Sequence, residues 1–225
     1  MTAEDRERRA GSGRRFPLRD ELYFIAHDDE TGRPVAHLPS LNVGLAGAIV
    51  LDLYLAGRVR LDHDYLVIQD PRPCSDAVAD HAVAALAARE YARLAPWLRW
   101  LADGLYDSLT RYLLATGVLT AVRERRLGIL PVTRARPADR AYPTLARGPA
   151  RTAVLRPGEA PDAASAALCG LIRVLNLESA LYLAIPGPEL RDRLGKAARR
   201  GDRGALRVIT TVEALVGEVA VAVYR

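Results

Sequence analysis

The sequence predicts a mainly α-helical protein, built as a single helical domain with two short β-hairpins. Half of the 225 residues are hydrophobic and 26% are charged, which is the composition of an ordinary globular protein. Several long stretches space their apolar residues three and four apart, the periodicity of a helix with one buried face. Two pairs of short apolar runs are each interrupted by polar residues, which is typical of a hairpin. At this length, one domain with a core that needs no cross-links is expected.

The first fifteen residues are set apart from the domain by composition. They contain five arginines against three acidic residues and no apolar segment, so a flexible arginine-rich arm is expected at residues 1–15 rather than a signal peptide. The helical domain is expected to occupy residues 16–225. The longest uncharged run, Pro34–Leu51, contains two prolines and several polar residues, which favours a loop entering a buried helix over a membrane span. The sequence therefore predicts a soluble, cytoplasmic protein whose contact with a membrane is peripheral.

The first elements of the domain follow from local patterns. Residues 21–27 form a short buried strand or helix, and residues 28–32 form a turn. Ser40 is expected to cap a helix that runs to about Ala56, with Gly57 ending it. The two glycines inside that helix, Gly44 and Gly47, are interpreted as positions of close packing. Its apolar stripe consists of Leu41, Leu45, Ile49 and Leu53.

The rest of the chain alternates helices and hairpins. Residues 58–61 and 65–68 predict the first hairpin, around a polar tip at residues 62–64. Ser75 is expected to cap an alanine-rich helix to about Leu94, and Pro96 to begin the next helix, which Gly117 ends. Residues 118–122 and 127–132 predict a second hairpin around a turn at residues 123–126. Residues 133–160 are expected to be mostly connection, and helices resume at residues 163–176, 188–200 and 202–223.

Signals for catalysis are weak throughout the sequence. It contains no glycine-rich phosphate loop followed by lysine and serine or threonine, and no nucleophile-elbow motif. The acidic groups at residues 28–30 and 62–64 could take a cation, but both patterns are more typical of solvated turns. Cys74 and Cys169 lack the spacing of zinc ligands or of a redox pair. The sequence therefore predicts no enzyme, no catalytic residue, no metal site and no cofactor.

Positive charge is concentrated in one segment. The chain carries +5 overall, and all but one of its 32 basic residues are arginine. Residues 121–156 hold nine arginines against Glu124 and Asp139, a net charge of +7, so the rest of the chain sums to −2. Such segregation indicates a surface that meets an anion. A solvated, arginine-rich loop is the alternative interpretation.

Three stretches of the sequence are similar to the Golgi phosphoprotein 3 family. They are residues 16–26 before the turn at Gly32, the glycine-rich helix 44–57 followed by Arg58, and residues 113–119 leading into the apolar tract 127–132. The resemblance extends over roughly residues 16–223, and the low lysine and high alanine content resembles an actinobacterial-type, bacterial member. It implies a helical domain with short hairpins that docks on membranes. Eukaryotic members bind phosphatidylinositol 4-phosphate and adapt membrane enzymes to vesicle coats.

The resemblance also assigns candidate site residues. The family's lipid pocket uses a tryptophan and three arginines, and this sequence has His37, Ala46, Asp103 and Tyr106 at those positions. The residues expected to meet the lipid head group are therefore Arg33, His37 and Arg111. The basic residues expected to face the membrane are Arg123, Arg125, Arg126, Arg134 and Arg136. The apolar hairpin residues, expected to serve oligomerisation or insertion, are Leu127, Ile129 and Leu130.

These residues predict a peripheral membrane-associated adaptor that recognises anionic phospholipid, with phosphatidylinositol 4-phosphate as the family's lipid. The expected partners are an anionic membrane surface, further copies of the chain, and a client protein that the sequence does not identify. The alternatives are a non-enzymatic homo-oligomeric scaffold for a partner protein and non-specific nucleic-acid binding through residues 121–156. Nucleic acid is the less favoured partner, because Tyr142 is the one aromatic residue in that segment available for base stacking.

Overall fold

The computed structural model describes residues 16–89, 92–126 and 130–222, and these form nine α-helices and two small antiparallel sheets. This confirms the mainly α prediction. The helices are α1 Leu18–Ile25, α2 Leu38–Leu55, α3 Ala77–Ala87, α4 Leu94–Ala102, α5 Leu105–Ala115, α6 Tyr142–Leu155, α7 Ala163–Val174, α8 Gly187–Arg199 and α9 Arg203–Ala222. The strands are β1 Val59–Asp62, β2 Tyr65–Ile68, β3 Ala92–Arg93, β4 Leu119–Arg126 and β5 Leu130–Pro137. The predicted arm at residues 1–15 lies outside the described residues.

Helix α2 is the centre of the bundle. It packs against α1, α4, α5, α7 and α9, and this explains why its sequence is apolar on every side. Within the described residues it is the one helix long and apolar enough to cross a membrane, with a mean hydropathy of 1.5, and 67% of it is buried by the other helices. The core helix of a globular domain has the same length and composition.

Two glycines let neighbouring helices approach α2 closely, as predicted. A Cβ atom on Gly47 would lie 2.5 Å from Val212 Cγ2 of α9, and one on Gly44 would lie 2.6 Å from Leu175 Cδ1. Both distances are far below van der Waals contact, and both neighbours are branched side chains held in the core. The glycines therefore set the spacing between α2 and its partners.

A methyl group at Gly47 is expected to destabilise the fold. Gly47→Ala should lower the free energy of unfolding by about 1–3 kcal/mol, because Val212 must move within a packed core. The matched control is Gly217→Ala in α9, where a Cβ atom meets no neighbour within 4 Å. That change should raise stability by up to about 1 kcal/mol through helix propensity. Chemical denaturation of both variants measures the difference, and equal effects would contradict this packing role.

Contacts between helix termini fix which ends of the bundle meet. The amide of Leu18 donates to the Asp52 carboxylate at 2.8 Å, so α1 begins where α2 ends. The hydroxyl of Tyr54 donates to Asp202 at 2.5 Å, which places the start of α9 at that same end. Gly47 of α2 faces Val212 of α9, so α9 runs antiparallel to α2 from this end. His27, just after α1, bonds Tyr106, whose amide meets Asn42, so α1 also runs towards the N-terminus of α2.

The opposite end of the bundle contains the connection between α4 and α5. The amide of Tyr106 donates to Asn42 Oδ1 at 2.6 Å, so α5 begins beside the first turns of α2. Arg99 of α4 pairs with Glu218 of α9 at 2.7 Å, which joins the last turns of those helices. We call this the α2 N-terminal end. It contains the starts of α2 and α5 and the ends of α1, α4 and α9.

Several predicted helix boundaries were wrong. Helix α2 begins at Leu38, two residues before Ser40, because Pro39 fits the first turn of a helix. Asp76, and not Ser75, caps α3, since its carboxylate accepts from two amides of the first turn, while Ser75 adopts a positive φ of 62°. Helix α3 ends at Ala87 instead of near Leu94, and a strand follows it.

The predicted helix from Pro96 to Gly117 was also wrong in its form. It is two helices, because α4 begins at Leu94 and the chain turns sharply after Ala102. Gly104 makes that turn with a φ of 61°, a left-handed conformation that glycine adopts readily. The break allows α5 to start beside α2.

The second hairpin was predicted with the wrong turn. Its strands extend from Leu119 to Arg126 and from Leu130 to Pro137, so residues 123–126 belong to β4 instead of forming the turn. The connecting residues 127–129 lie outside the described residues. The expectation that residues 133–160 are mostly connection was wrong as well, because they contain most of β5 and all of α6.

Candidate lipid-contacting surface

The β4–β5 hairpin projects from the body of the protein. Its strands pair in register from Leu119 with Pro137 to Arg126 with Leu130, about 27 Å at the usual rise per residue. At the base, Leu119 is buried and β4 packs on α5. The four consecutive side chains of residues 120–123 are all exposed, and so is Thr133. Because successive side chains of a strand point to opposite faces, β4 is in solvent on both of its faces at residues 120–123.

The hairpin is strongly basic. Residues 119–137 contain five arginines against Glu124, a net charge of +4. Arg123 is exposed on β4. The side chains of Arg125, Arg126 and Leu130 fall outside the described part of the structure, as do Leu127 and Ile129 entirely. Their expected roles stay predictions.

Two arginines of β5 hold the acidic turn at residues 28–32. Arg134 Nη1 donates to the carbonyl of Thr31 at 2.8 Å, and Arg136 Nη1 donates to the carbonyl of Glu30. Gly32, at a φ of 60°, allows the turn to approach β5, since a Cβ atom there would lie 3.0 Å from a carbonyl oxygen of the strand. Both guanidinium groups are half-buried, so they position the hairpin as well as contributing charge.

Arg147 belongs to the fold and not to the basic surface. Its side chain is 3% exposed, and its two terminal nitrogens donate to the Asp29 carboxylate at 2.7 and 2.9 Å. Its Nε donates to the carbonyl of Ala180 at 2.7 Å, and its guanidinium lies over the ring of Tyr182. Of the nine arginines in residues 121–156, five therefore belong to the hairpin, and Arg147 belongs to an ion pair of the fold. The other three lie outside the hairpin: Arg140 is exposed, Arg151 donates to the carbonyl of Leu181, and Arg156 pairs with Glu159.

The three residues expected to bind a lipid head group all lie at or near the α2 N-terminal end. Arg33 and His37 are exposed on the loop before α2, and His37 Nδ1 lies 3.2 Å from Ser40 Oγ. Arg111 is exposed on α5, where its guanidinium donates to Ser108 Oγ at 3.2 Å. The structure brings together the elements that carry them, while each side chain keeps its own local partners.

The positions that the resemblance assigns to the lipid pocket are uncharged or acidic. Ala46 is fully buried inside α2, and Asp103 is exposed at the end of α4.

Tyr106 is half-buried, and its hydroxyl donates to His27 Nε2 at 2.8 Å. His27 in turn donates from Nδ1 to the carbonyl of Tyr23 at 2.5 Å, and the three rings stack. Burial lowers the pKa of His27, so the imidazole is neutral and can accept from Tyr106.

Removing the Tyr106 hydroxyl is expected to cost stability. Tyr106→Phe leaves the buried Nε2 of His27 without its donor, which should lower the free energy of unfolding by about 1–3 kcal/mol. The loss should be seen in thermal and chemical unfolding. Tyr182→Phe is the control, because Tyr182 is 54% exposed and contacts Arg147 through the face of its ring, which phenylalanine retains. A Tyr106→Phe protein as stable as the wild type would show that the hydrogen bond from Tyr106 to His27 does not stabilise the fold.

Helix α4 carries an aromatic cluster that was not predicted from the sequence. The rings of Trp97 and Trp100 stack with centroids 4.7 Å apart, and the Arg89 guanidinium lies 4.1 Å from the Trp100 ring and 4.8 Å from the Trp97 ring. Trp97 is buried, whereas Trp100 is 42% exposed. The signal was present as two tryptophans three residues apart, which places them on one helical face.

The candidate cation groups have other partners. Within the described residues, no group of three or more histidine, cysteine or acidic side chains is arranged to hold a metal ion. At the exposed tip of the first hairpin, His63 Nδ1 lies 2.9 Å from the Asp62 carboxylate. In the acidic turn, Asp28 accepts from the amide and hydroxyl of Thr31, which lowers its pKa.

Comparison with known proteins gives one family. The family model of Golgi phosphoprotein 3 (GPP34) matches residues 18–216, which span α1 to the middle of α9. No curated protein matches the sequence.

Proposed function

The chain belongs to the Golgi phosphoprotein 3 family, and from that premise we propose that it is a peripheral membrane adaptor that binds anionic phospholipid through its β4–β5 hairpin. The observation that carries the proposal is the β4–β5 ribbon itself, which exposes residues 120–123 and Thr133 and has a net charge of +4 over residues 119–137. The proposed role is binding without catalysis, at the cytoplasmic face of a membrane, with a client protein as the second partner.

The energetics favour a joint electrostatic and apolar contact. An arginine near an anionic membrane surface contributes about 1 kcal/mol, so the hairpin charge supplies about 4 kcal/mol. Insertion of Leu127, Ile129 and Leu130 at the turn adds roughly 1.5–3 kcal/mol each at full burial and less at partial depth. Neither contribution alone holds a protein stably on a bilayer, but two signals together do.

The proposed lipid specificity is for negative charge in general. The pocket positions carry a buried methyl group at Ala46, a tyrosine engaged with His27 at Tyr106, and a carboxylate at Asp103. A carboxylate repels a phosphorylated inositol, so these residues give no preference for it. Arg33, His37 and Arg111 add a less specific contact at the α2 N-terminal end.

Co-sedimentation of the full chain with vesicles tests the proposal. Three compositions are compared: phosphatidylcholine alone, and phosphatidylcholine containing either phosphatidylserine or phosphatidylinositol 4-phosphate at equal total charge. We expect similar binding to both anionic vesicles at about 0.1 M salt, little binding to neutral ones, and weaker binding at about 0.5 M salt. A chain that stays in solution with phosphatidylserine vesicles at the lower salt would refute the proposal, and strong preference for the phosphoinositide would refute its lack of selectivity.

Self-association through the same hairpin is the second candidate function. Within the described residues, β4 and β5 form a two-stranded sheet whose outer edges pair with no other strand. Such an isolated ribbon is marginally stable alone, and its edges can pair with those of a second copy. Analytical ultracentrifugation of the full chain over a range of concentrations tests this. A single monomeric species at all concentrations would exclude a scaffold of this kind.

A further inference from the structure

We propose that Trp100, with the Arg89 guanidinium stacked on it, is a second anchor in the anionic bilayer, separate from the β4–β5 hairpin. The inference rests on the proposed function, because it names a further contact with the same membrane. It concerns residues that lie outside both the hairpin and the predicted head-group residues.

The packing of this cluster holds the ring of Trp100 at the protein surface. Trp97 anchors it in the core at 3% exposure, and Trp100 stacks on that ring while remaining 42% exposed. Arg89, at the end of α3, covers both rings, and its Nη1 donates to the carbonyl of Ala85 at 3.2 Å. The guanidinium is thereby held over the two indole rings.

A second pair of the same kind lies on the neighbouring sheet. Tyr65 of β2 and Arg93 of β3 are directly opposite in the antiparallel register, and the Arg93 guanidinium lies 5.9 Å from the Tyr65 ring. Tyr65 is 40% exposed and Arg93 is exposed. Each pair combines a cationic side chain with an aromatic one. Aromatic side chains of this kind are enriched at membrane–water interfaces.

The chemistry of the cluster favours contact with an anionic bilayer. An indole buries its ring among acyl chains while its N–H remains at head-group level, and a stacked guanidinium keeps in-plane N–H donors for phosphate oxygens. A bilayer also satisfies the positive charge of Arg89, which lies over the exposed Trp100 ring.

The position of Trp100 agrees with the proposed membrane contact. It lies in the last turn of α4, three residues before Asp103, and therefore at the α2 N-terminal end. The loop that carries Arg33 and His37 meets this same end, and it exposes two apolar side chains there, Val35 at 54% and Leu38 at 42%. A bilayer at this end of the bundle would reach all three apolar groups.

Intrinsic fluorescence tests the anchor without a label, because the chain's two tryptophans are both in this cluster. The probe is a vesicle of phosphatidylcholine and phosphatidylserine with brominated acyl chains, which quench an inserted indole at short range. We expect quenching of the full chain with anionic vesicles and none with neutral ones. In Trp100→Phe the remaining emission comes from the buried Trp97 and should stay unquenched.

Vesicle partition provides the second readout. Trp100→Ser should lower the partition coefficient at about 0.5 M salt by about tenfold, because the apolar contribution survives screening. Leu145→Ser is the matched control, since Leu145 is 57% exposed on α6 and should leave partition unchanged. Thermal unfolding verifies that both variants remain folded.

The outcomes separate the anchor from the proposed function. If the wild type does not bind anionic vesicles at all, the proposed function fails and the anchor fails with it. If the wild type binds but its emission is not quenched, or if quenching persists in Trp100→Phe, the anchor alone is overturned.

Discussion

Reversing the charge of Arg123, Arg125 and Arg126 to glutamate is expected to abolish binding to anionic vesicles at low salt. The triple change turns the hairpin from +4 to −2, a difference of six charges on the element proposed to meet the membrane. At about 1 kcal/mol per charge near the membrane surface, even half of this effect corresponds to a loss of at least about 100-fold in the partition coefficient. Co-sedimentation at matched lipid concentrations measures it.

A control with the same change in net charge distinguishes the hairpin from a general charge effect. Lys196, Arg199 and Arg203 are exposed on α8 and α9, which pack on α2, α6 and α7. Replacing these three with glutamate should weaken binding only slightly, because they lie outside the hairpin that is proposed to meet the membrane, on helices that pack on other parts of the bundle. Equal losses in the two triple variants would contradict a role specific to the hairpin.

Arg19→Met is expected to cause the largest loss of stability. The Arg19 side chain is 2% exposed and is surrounded by three carboxylates, Asp76 at 2.8 Å, Asp20 at 3.4 Å and Asp52 at 3.7 Å. Removing it leaves these acids together without the central guanidinium. Breaking a buried ion pair from one side costs about 3–5 kcal/mol, and this cluster also joins α1, α2 and the cap of α3.

The loss in Arg19→Met should depend on pH. Burial raises the pKa of Asp52 to about 7, against the opposing charge of Arg19, and removing that charge raises it further. A folded-state pKa above the unfolded value means that folding takes up a proton, so stability falls as pH rises between those values. The deficit relative to the wild type should therefore be smaller at about pH 5 than at about pH 7.5.

Chemical denaturation at the two pH values measures this dependence. Arg99→Met is the control, because Arg99 forms an exposed pair with Glu218 whose loss should change stability by at most about 1 kcal/mol at either pH. An Arg19→Met protein as stable as Arg99→Met, or a deficit that grows towards acid, would refute this account of the cluster.

The local features of the fold were predictable because their causes are local. The spacing of Leu41, Leu45, Ile49 and Leu53 predicted α2, and the placement of two glycines within it predicted close packing. The first hairpin followed from apolar runs on each side of a polar tip, but the predicted tip at residues 62–64 was one residue too long. Asp62 pairs with Tyr65 in the structure, and Val59 therefore pairs with Ile68. Each of these signals is contained within about twenty residues.

The features that were missed depend on contacts between distant residues. Arg147 and Asp29 are 118 positions apart, so no local pattern indicated that this arginine would be buried against a carboxylate. Proline and arginine in residues 133–160 hid both β5 and α6, whose buried stripe of Ala146, Ala150 and Val154 consists of small side chains. Small residues carry a weak hydrophobic pattern, and packing decides their structure.

The charge of the candidate site could be predicted from the sequence, but its geometry could not. The count of arginines located the basic hairpin, but the bonds from Arg134 and Arg136 to the acidic turn required the folded arrangement. The aromatic cluster was missed for the same reason, since Arg89 reaches Trp100 from the end of a different helix. Likewise, Tyr106 could be recognised as a departure from the family's arginine, while its bond to His27 could not.

The position of the hairpin on a bilayer is the central claim, and a fluorophore on β4 measures it directly. The environment-sensitive label is attached to Val122→Cys in a Cys74→Ser background, where the serine oxygen can still accept from Arg58 and Cys169 is buried. A second protein carries the label at Lys196→Cys on α8. With phosphatidylserine vesicles we expect a blue shift at position 122 and none at 196. A chain that binds the vesicles while the shift occurs at 196 and not at 122 would contradict the account.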